Sequence, residues 1–460
     1  MPPINIEQTT LIKFLPRLKI NPLTTDVKRS DSHLTDTSYS LRMTPDFTIY
    51  IKETHCLRCG KRLVGNGNNP RIAILDMGRG RREFMLHRKR CKRCGEIKPD
   101  YSKIAPKYGN YHENYKHRAR QHYMEGLNPA QIKKVFKIDF DIDISKSSIV
   151  KWINQATESL REVLRETPVP SSGYWGYDEI HMNIKGKKRY SINTVDMNTH
   201  FIPVAKVMPN MGRTTGMTVL KEGRKNAQLW INGIIKDCTT NLGGLFRTRS
   251  FKHIKQQNCL THVKWIMSAH VKAFTGMSKQ SRKPVPKKWQ WLLARFYRVL
   301  DSGTETDIYI WIEIVRRTIE RLTGEKINEL HRALKQLESW LLKIIAHQRN
   351  PNIPDTNNMT EGFHKKYEYY RAFKTQMKSD GGAQRVLDYR VFGHNFRQFP
   401  IYINQYKLKY LRWRAYVREP GESAVMRGQG NHFKHMFRKL DGWYGKYIDV
   451  WNKYFAIKKE

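Results

Sequence analysis

From Ser171 onward the chain spells out strand after strand, and this order restricts what it can fold into. GYWGYDEIHMNI, KKRYSINTVDMNT and HFIPVAKVMP follow one another as three strand-like runs. Lys185-Gly186-Lys187 and Asn198-Thr199 lie between them as hairpin-type turn signals. A helix-like stretch over roughly residues 214–226 comes next, and then LWINGIIKD, a fourth short apolar run. Three antiparallel strands, a helix and a further strand predict an α/β domain built on a mixed sheet.

Three acids stand at telling places in that pattern. Asp178 ends an aromatic, apolar run, and Asp237 follows LWINGII just before the loop-like TTNLGG. Glu361 lies in TNNMTEGFHKKYEYY, where Thr356, Asn357 and Asn358 offer helix caps ahead of it. Two acids at strand ends and one on a later helix can converge on two divalent ions, Mg²⁺ or Mn²⁺, about 3.5–4 Å apart. That arrangement serves in-line phosphoryl transfer. Plainer readings exist: Asp237 as a strand-end turn former, Glu361 as an exposed helix charge with Asp355 as its rival. Alternation sends Glu179 to the face opposite Asp178, and Asp196, inside a strand, serves a turn.

The partner is suggested by charge. Lys and Arg number 84 against 41 Asp and Glu, a formal net charge of +43 spread along the whole chain. Such an excess calls for a polyanion, and double-stranded DNA fits better than a membrane surface, because no basic amphipathic helix stands out. No run of 18 or more apolar residues and no signal-peptide core occurs in the sequence. The expected location is the cytoplasm and nucleoid, or the nucleus in a eukaryote.

At 460 residues the chain has room for about three domains. Residues 1–45 are polar and without period, and read as a mobile arm. Cys56-Leu57-Arg58-Cys59-Gly60 and Cys91-Lys92-Arg93-Cys94-Gly95 are two knuckles flanking a strand hairpin. Over residues 46–105 they predict a zinc ribbon, with one structural Zn²⁺ on Cys56, Cys59, Cys91 and Cys94. Residues 106–168 read as helices. Asn128-Pro129 opens one, and a Ser-capped helix starting at Ser147 and Ser148 puts Ile149, Trp152 and Ile153 on one face. This is a helix-turn-helix pattern, with Ser147, Ser148 and Lys151 as candidate DNA contacts.

After Asp237 comes Cys259-Leu260-Thr261-His262, and then three basic segments with helical spacing across residues 268–346. With the surroundings of Glu361 and with GAQRVLDYRVFGHNFRQF, these motifs resemble DDE transposases of the RNase H-like superfamily. The likeness is to the Mutator-like branch and related insertion-sequence enzymes, over residues 171–400. It implies an RNase H-like sheet from residues 171–267 and 347–400, interrupted by a helical insertion at 268–346. It also implies that Asp178 lies beside Asp237, and that these two and Glu361 carry metal-dependent strand cleavage and 3′-OH strand transfer. His262 would act near the scissile phosphate and Cys259 would pack. Element ends and target DNA would be the partners of a homodimer or larger assembly. Two rivals remain open: another nuclease of this fold using Glu222, and a DNA-binding regulator without activity. Trp289 and Trp291 suit either base stacking or core packing. Residues 401–460, basic and aromatic, suit DNA or subunit contacts or a packed extension.

Overall fold

The structure is a computed structural model. It describes residues 39–44, 48–76, 80–97, 111, 113–238, 242, 244–368, 377–416 and 425–456. Most of the expected N-terminal arm, residues 1–38, lies outside them. Two compact units are present, residues 1–73 with 82–110, and residues 74–81 with 111–460.

The small unit holds the sheet of β1 (Leu41–Met43), β2 (Thr48–Ile51), β3 (Leu63–Asp76), β4 (Gly80–Cys91) and β5 (Gly95–Glu96), apart from residues 74–76 of β3 and 80–81 of β4, which fall in the large unit's share of the chain. Its order is β1-β2-β4-β3, with β5 added to β4. Residues 41–43, within the segment read from sequence as an arm, belong to this sheet. Tyr39 is buried, donates its hydroxyl to Cys56 Sγ at 3.7 Å and accepts the Leu57 amide at 3.1 Å. A three-residue strand is too short to announce itself by alternation.

The large unit begins with α1 (Glu113–Glu125), α2 (Pro129–Phe140) and α3 (Lys146–Glu166). Asn128 caps α2 in a full capping box with Gln131, and Pro129 takes the first turn as expected. The cap of α3 is Ser145, whose hydroxyl accepts the Ser148 amide. Ser147 and Ser148 therefore sit inside the first turn rather than ahead of it. Ile149, Trp152 and Ile153 are buried as their spacing predicts, while Ser147 and Lys151 are exposed.

The mixed sheet then forms from β6 (Tyr174–Ile184), β7 (Lys187–Asp196), β8 (Val204–Met208), β9 (Gly233–Lys236) and β10 (Lys255–Asn258), with α4 (Arg213–Ala227) between β8 and β9. The strand order is β10-β9-β6-β7-β8. The β6–β7 turn has Lys185 and Gly186 at φ +50° and +75°, the two positive values a tight hairpin turn needs. β9 is shorter than LWINGIIKD suggested. Gln228 ends α4 in the left-handed region, leaving Leu229 and Trp230 exposed, with the Arg224 guanidinium 4.0 Å from the Trp230 ring.

Alternation divides the faces of β6. Trp175 and Tyr177 pack with Val219 and Leu220 of α4, and Ile180, Met182 and Ile184 pack on the other side. Beyond the sheet come α5 (Leu260–Phe274), α6 (Gln290–Leu300), α7 (Glu305–Glu320), α8 (Ile327–Ser339), and the short α9 (Leu341–Ile344) and α10 (Ala346–Arg349). α5 through α8 share one core, so the C-x-x-H motif rides on the first helix of that group. Then follow α11 (Asn358–Glu368), α12 (Asp380–Tyr416) and α13 (Val425–Tyr454). Phe392 and Phe399 of α12 and Tyr447 of α13 complete the core of α1–α3. At about 1.5–3 kcal/mol per buried large apolar side chain, these C-terminal helices are a main support of that region. Among the described residues, no helix is long and apolar enough to cross a membrane.

Candidate metal centres and the carboxylate cleft

In the small unit the four sulfurs of Cys56, Cys59, Cys91 and Cys94 all lie within 4.8 Å of one another. Cys59 Sγ and Cys91 Sγ are 3.4 Å apart, against about 3.8 Å for the edge of a zinc–thiolate tetrahedron with bonds of about 2.3 Å. Gly60 and Gly95 take φ of +68° and +88°, the turns for which each knuckle needs glycine. The crowded thiols share charge unevenly. Burial opposes ionisation of Cys56, yet the Arg58 amide and the Tyr39 hydroxyl bring it down to about 6. Hydrogen bonding to Cys59, then burial, pushes Cys94 up to about 12. A divalent cation would remove that conflict, so the donor set fits zinc.

In the large unit, β9 runs parallel to β6 with Tyr177 opposite Lys236. The next residue along each strand is an acid: Asp178 lies in the middle of β6, paired with Asn193, rather than at a strand end as the sequence suggests, and Asp237 follows the last residue of β9 beside it. Alternation turns Asp178 toward the face on which α11 packs. The approach of that helix is close because residue 176 is glycine: a Cβ there would collide with Thr360 Oγ1 and Asn357 Oδ1 and come within 2.8 Å of Met197 Sδ. Asn357, buried just ahead of α11, fastens the contact. Its side-chain amide donates to the Tyr177 carbonyl at 3.2 Å, and its Oδ1 accepts the Thr360 hydroxyl at 2.7 Å. Gly176→Ala should therefore lower stability by about 1–3 kcal/mol. Urea unfolding measures this, and an unchanged midpoint would mean α11 is not seated as described.

Glu361 on α11 lies one turn from His364, which belongs to a buried relay. Asn193 Nδ2 donates to His364 Nε2 at 2.8 Å, which leaves the proton on Nδ1, facing Asp178 Oδ2 at 3.1 Å. The ring thereby fixes one carboxylate orientation. The sequence reading gave His364 no role of its own, although its i, i+3 spacing from Glu361 was there to be seen.

The C-x-x-H motif enters from β10 and α5. Cys259, fully buried, has its amide on the Lys236 carbonyl at 2.8 Å and accepts the Asn357 amide on Sγ at 3.4 Å. Cys259, His262 and Glu361 have ligand-type atoms within 4.8 Å of one another. His262 Nδ1 and Glu361 Oε1 are 3.7 Å apart. Hydrogen bonding to Cys259 raises His262 above its ordinary value against the effect of burial, with help from the charges of Glu361 and Asp237.

Asp178, His262 and Glu361 line one open cleft of about 400 Å³, with Glu179, Trp265 and Lys365. Burial, then the charges of Asp237 and Asp178, pushes Glu179 up to about 8, with Lys236 and His262 offsetting only part. Unbalanced negative potential of this kind suits a divalent cation, and the oxygen donors of Asp178, Asp237 and Glu361 suit magnesium or manganese. Trp265 is 60% exposed on the rim, its ring 5.0 Å from that of His262. Of the two tryptophans singled out from sequence, Trp289 packs on Phe274 and Trp291 is 43% exposed. Glu222 pairs with Lys206 of β8, at the edge of the sheet away from β9, and does not line this cleft. Asp196 is buried and accepts from Ser171, Ser172, Asn198 and Thr199, which makes it a turn organiser.

No family model matches this chain, and no curated protein does. Among solved structures it is similar to the HTLV-2 integrase catalytic core domain in complex with magnesium. That likeness has 12% identity and a TM-score of 0.16, over 30% of this chain and 91% of the other. It is also similar to the simian T-cell lymphotropic virus intasome in complex with PP2A regulatory subunit B56 gamma, at 12% identity and a TM-score of 0.15, over 48% of this chain and 67% of the other. At such scores neither likeness carries an argument about this chain.

Proposed function

We propose that this protein is a DDE-type DNA transposase with an RNase H-like catalytic core. What supports the reading is the adjacency of Asp178 and Asp237 along the parallel β6–β9 pair, with Glu361 on α11 lining the same cleft as Asp178. The three acids would hold two Mg²⁺ or Mn²⁺ ions, which when bound activate a water or a 3′-hydroxyl and stabilise the departing 3′-oxygen. The protein's own part is positional. Asn357 and Gly176 seat Glu361, His364 aims Asp178, and His262 faces the phosphate being cut. Trp265 offers its exposed ring to a base unpaired near the cut.

The zinc ribbon and the helix-turn-helix, with Ser147, Ser148 and Lys151 toward the groove, would bind element ends, and the net charge of +43 would hold the flanking and target DNA. Joining two ends calls for at least a dimer on DNA, working in the nucleoid or nucleus. Glu222 speaks against a nuclease with its third acid on α4, because Lys206 holds it away from the cleft.

The test is cleavage and joining on labelled DNA from the ends flanking the gene, with Mg²⁺ or Mn²⁺. Triad-dependent 3′-OH ends and joined products are expected. Tight end binding with no metal-dependent product, across several end lengths, would instead favour a DNA-binding regulator. Within the same assay, His364→Ala should raise the Mg²⁺ needed for half-maximal cleavage by about 10–100-fold, the usual cost of losing a group that orients a metal ligand. An unchanged Mg²⁺ dependence would remove His364 from that role.

A further inference from the structure

We infer that Cys259, His262 and Glu361 form a second zinc site, distinct in donor chemistry from the all-oxygen magnesium site and sharing Glu361 with it. Three observations support this. First, one sulfur, one imidazole nitrogen and one carboxylate oxygen come from two helices to within 4.8 Å of one another. Second, Glu361 Oε1 and His262 Nδ1 are buried atoms without a hydrogen-bond partner, and the imidazole's side-chain neighbour is the Cys259 thiol of the same cluster. The Nδ1–Oε1 separation of 3.7 Å is too long for a hydrogen bond and near the roughly 3.3 Å expected between two ligands of one tetrahedral zinc. Third, the surroundings of the sulfur match those of the ribbon cysteines. The Asn357 and His262 amides point at Cys259 Sγ, as the Arg58 and Cys59 amides do at Cys56 and the Arg93 and Cys94 amides at Cys91. Such N–H donors stabilise a thiolate once the thiol proton has left.

The donor set decides the metal. Magnesium takes oxygen ligands, whereas a thiolate, an imidazole and a carboxylate together suit zinc. Binding would displace the Cys259 thiol proton to solvent and leave a fourth position open toward the cleft, where a water would complete the tetrahedron. Zinc and magnesium would then compete for Glu361, and zinc at this site would hold the third acid away from Asp178 and Asp237.

The site is tested by metal content, which does not depend on any DNA chemistry. Full-length protein is equilibrated with buffered Zn²⁺ in millimolar Mg²⁺, and bound metals are counted by mass spectrometry. Two zinc ions per chain are expected in the wild type. One is expected in Cys259→Ser, and one in the double ribbon variant Cys91→Ser/Cys94→Ser. One zinc in the wild type and none in the ribbon variant would overturn the inference. His262→Gln provides the same reading should a serine at buried position 259 prevent folding. A second count comes from Co²⁺, whose thiolate absorption should persist in the ribbon variant and vanish on adding Cys259→Ser or His262→Gln. A protein that holds two zinc ions but cuts no DNA would leave this site standing while the transposase reading fell.

Discussion

Asp178→Asn and Asp237→Asn should each lower metal-dependent strand cleavage by on the order of 10³-fold, with end-DNA binding nearly unchanged. A bound metal contributes several kcal/mol of charge stabilisation at a phosphoryl transition state, and each 1.36 kcal/mol is about tenfold in rate. Asp178, within β6, and Asp237, just past β9, each stand one residue beyond the parallel Tyr177–Lys236 pair, so the two losses remove neighbouring oxygen donors. Binding should survive because the substitutions are isosteric and lie away from the exposed face of α3. Single-turnover cleavage of a labelled end and a mobility shift on the same DNA separate the two effects. Near wild-type cleavage by the Asp237→Asn protein would end the assignment of that residue, and with it the triad.

Removing the ribbon metal should unfold the small unit while the large one stays folded. The described apolar core of the small unit is slight: Tyr39, Ile49, Ile51, Leu63, Leu86 and Ile97 with Cys56 and Cys91. Six such side chains supply about 9–18 kcal/mol before ordering costs, and those costs at about 1–2 kcal/mol per residue exceed it. Structural zinc contributes about 10–16 kcal/mol in comparable small modules, so the metal decides whether this unit folds. The large unit has its own cores under the sheet and among α5–α8 and needs no ion for them. After chelation, hydrogen exchange should show protection lost across β1–β5 and kept in β6, β7 and α8. Specific end binding should fall with it. Protection that persists in β4 after complete zinc removal would show the ribbon to be held by its chain alone.

Local patterns in the sequence predicted much of this architecture. The knuckles, with glycine after the second cysteine, predicted the four-sulfur cluster. Alternation and the Lys185-Gly186 turn predicted β6 and β7, and apolar spacing predicted the buried face of α3. These succeed because each depends on residues a few positions apart. The errors arose where neighbours in space overrode neighbours in sequence. Leu229 and Trp230 look like the start of a strand, but they lie exposed between the end of α4 and β9. Ser145, rather than Ser147 or Ser148, caps α3, because three serines within four residues offer equal chemistry and only the helix entry selects one.

Some relations had no sequence signal at all. His364 aims Asp178 only because Asn193, 171 residues earlier, takes its other nitrogen. Burial, then the charges of Asp237 and Asp178, raises Glu179 to about 8, although alternation puts Glu179 on the face opposite Asp178. Glu361 meets Cys259 and His262 because Asn357 joins the Tyr177 carbonyl to the Cys259 sulfur across 180 and 98 residues. By itself, the sequence determined which residues carry ligand chemistry and which strands and turns present them, since those depend on side-chain type and short-range periodicity. Only the tertiary structure decided which of these groups share one cleft, because parallel strand pairing and the close approach of α11 over Gly176 bring together residues that no local pattern connects.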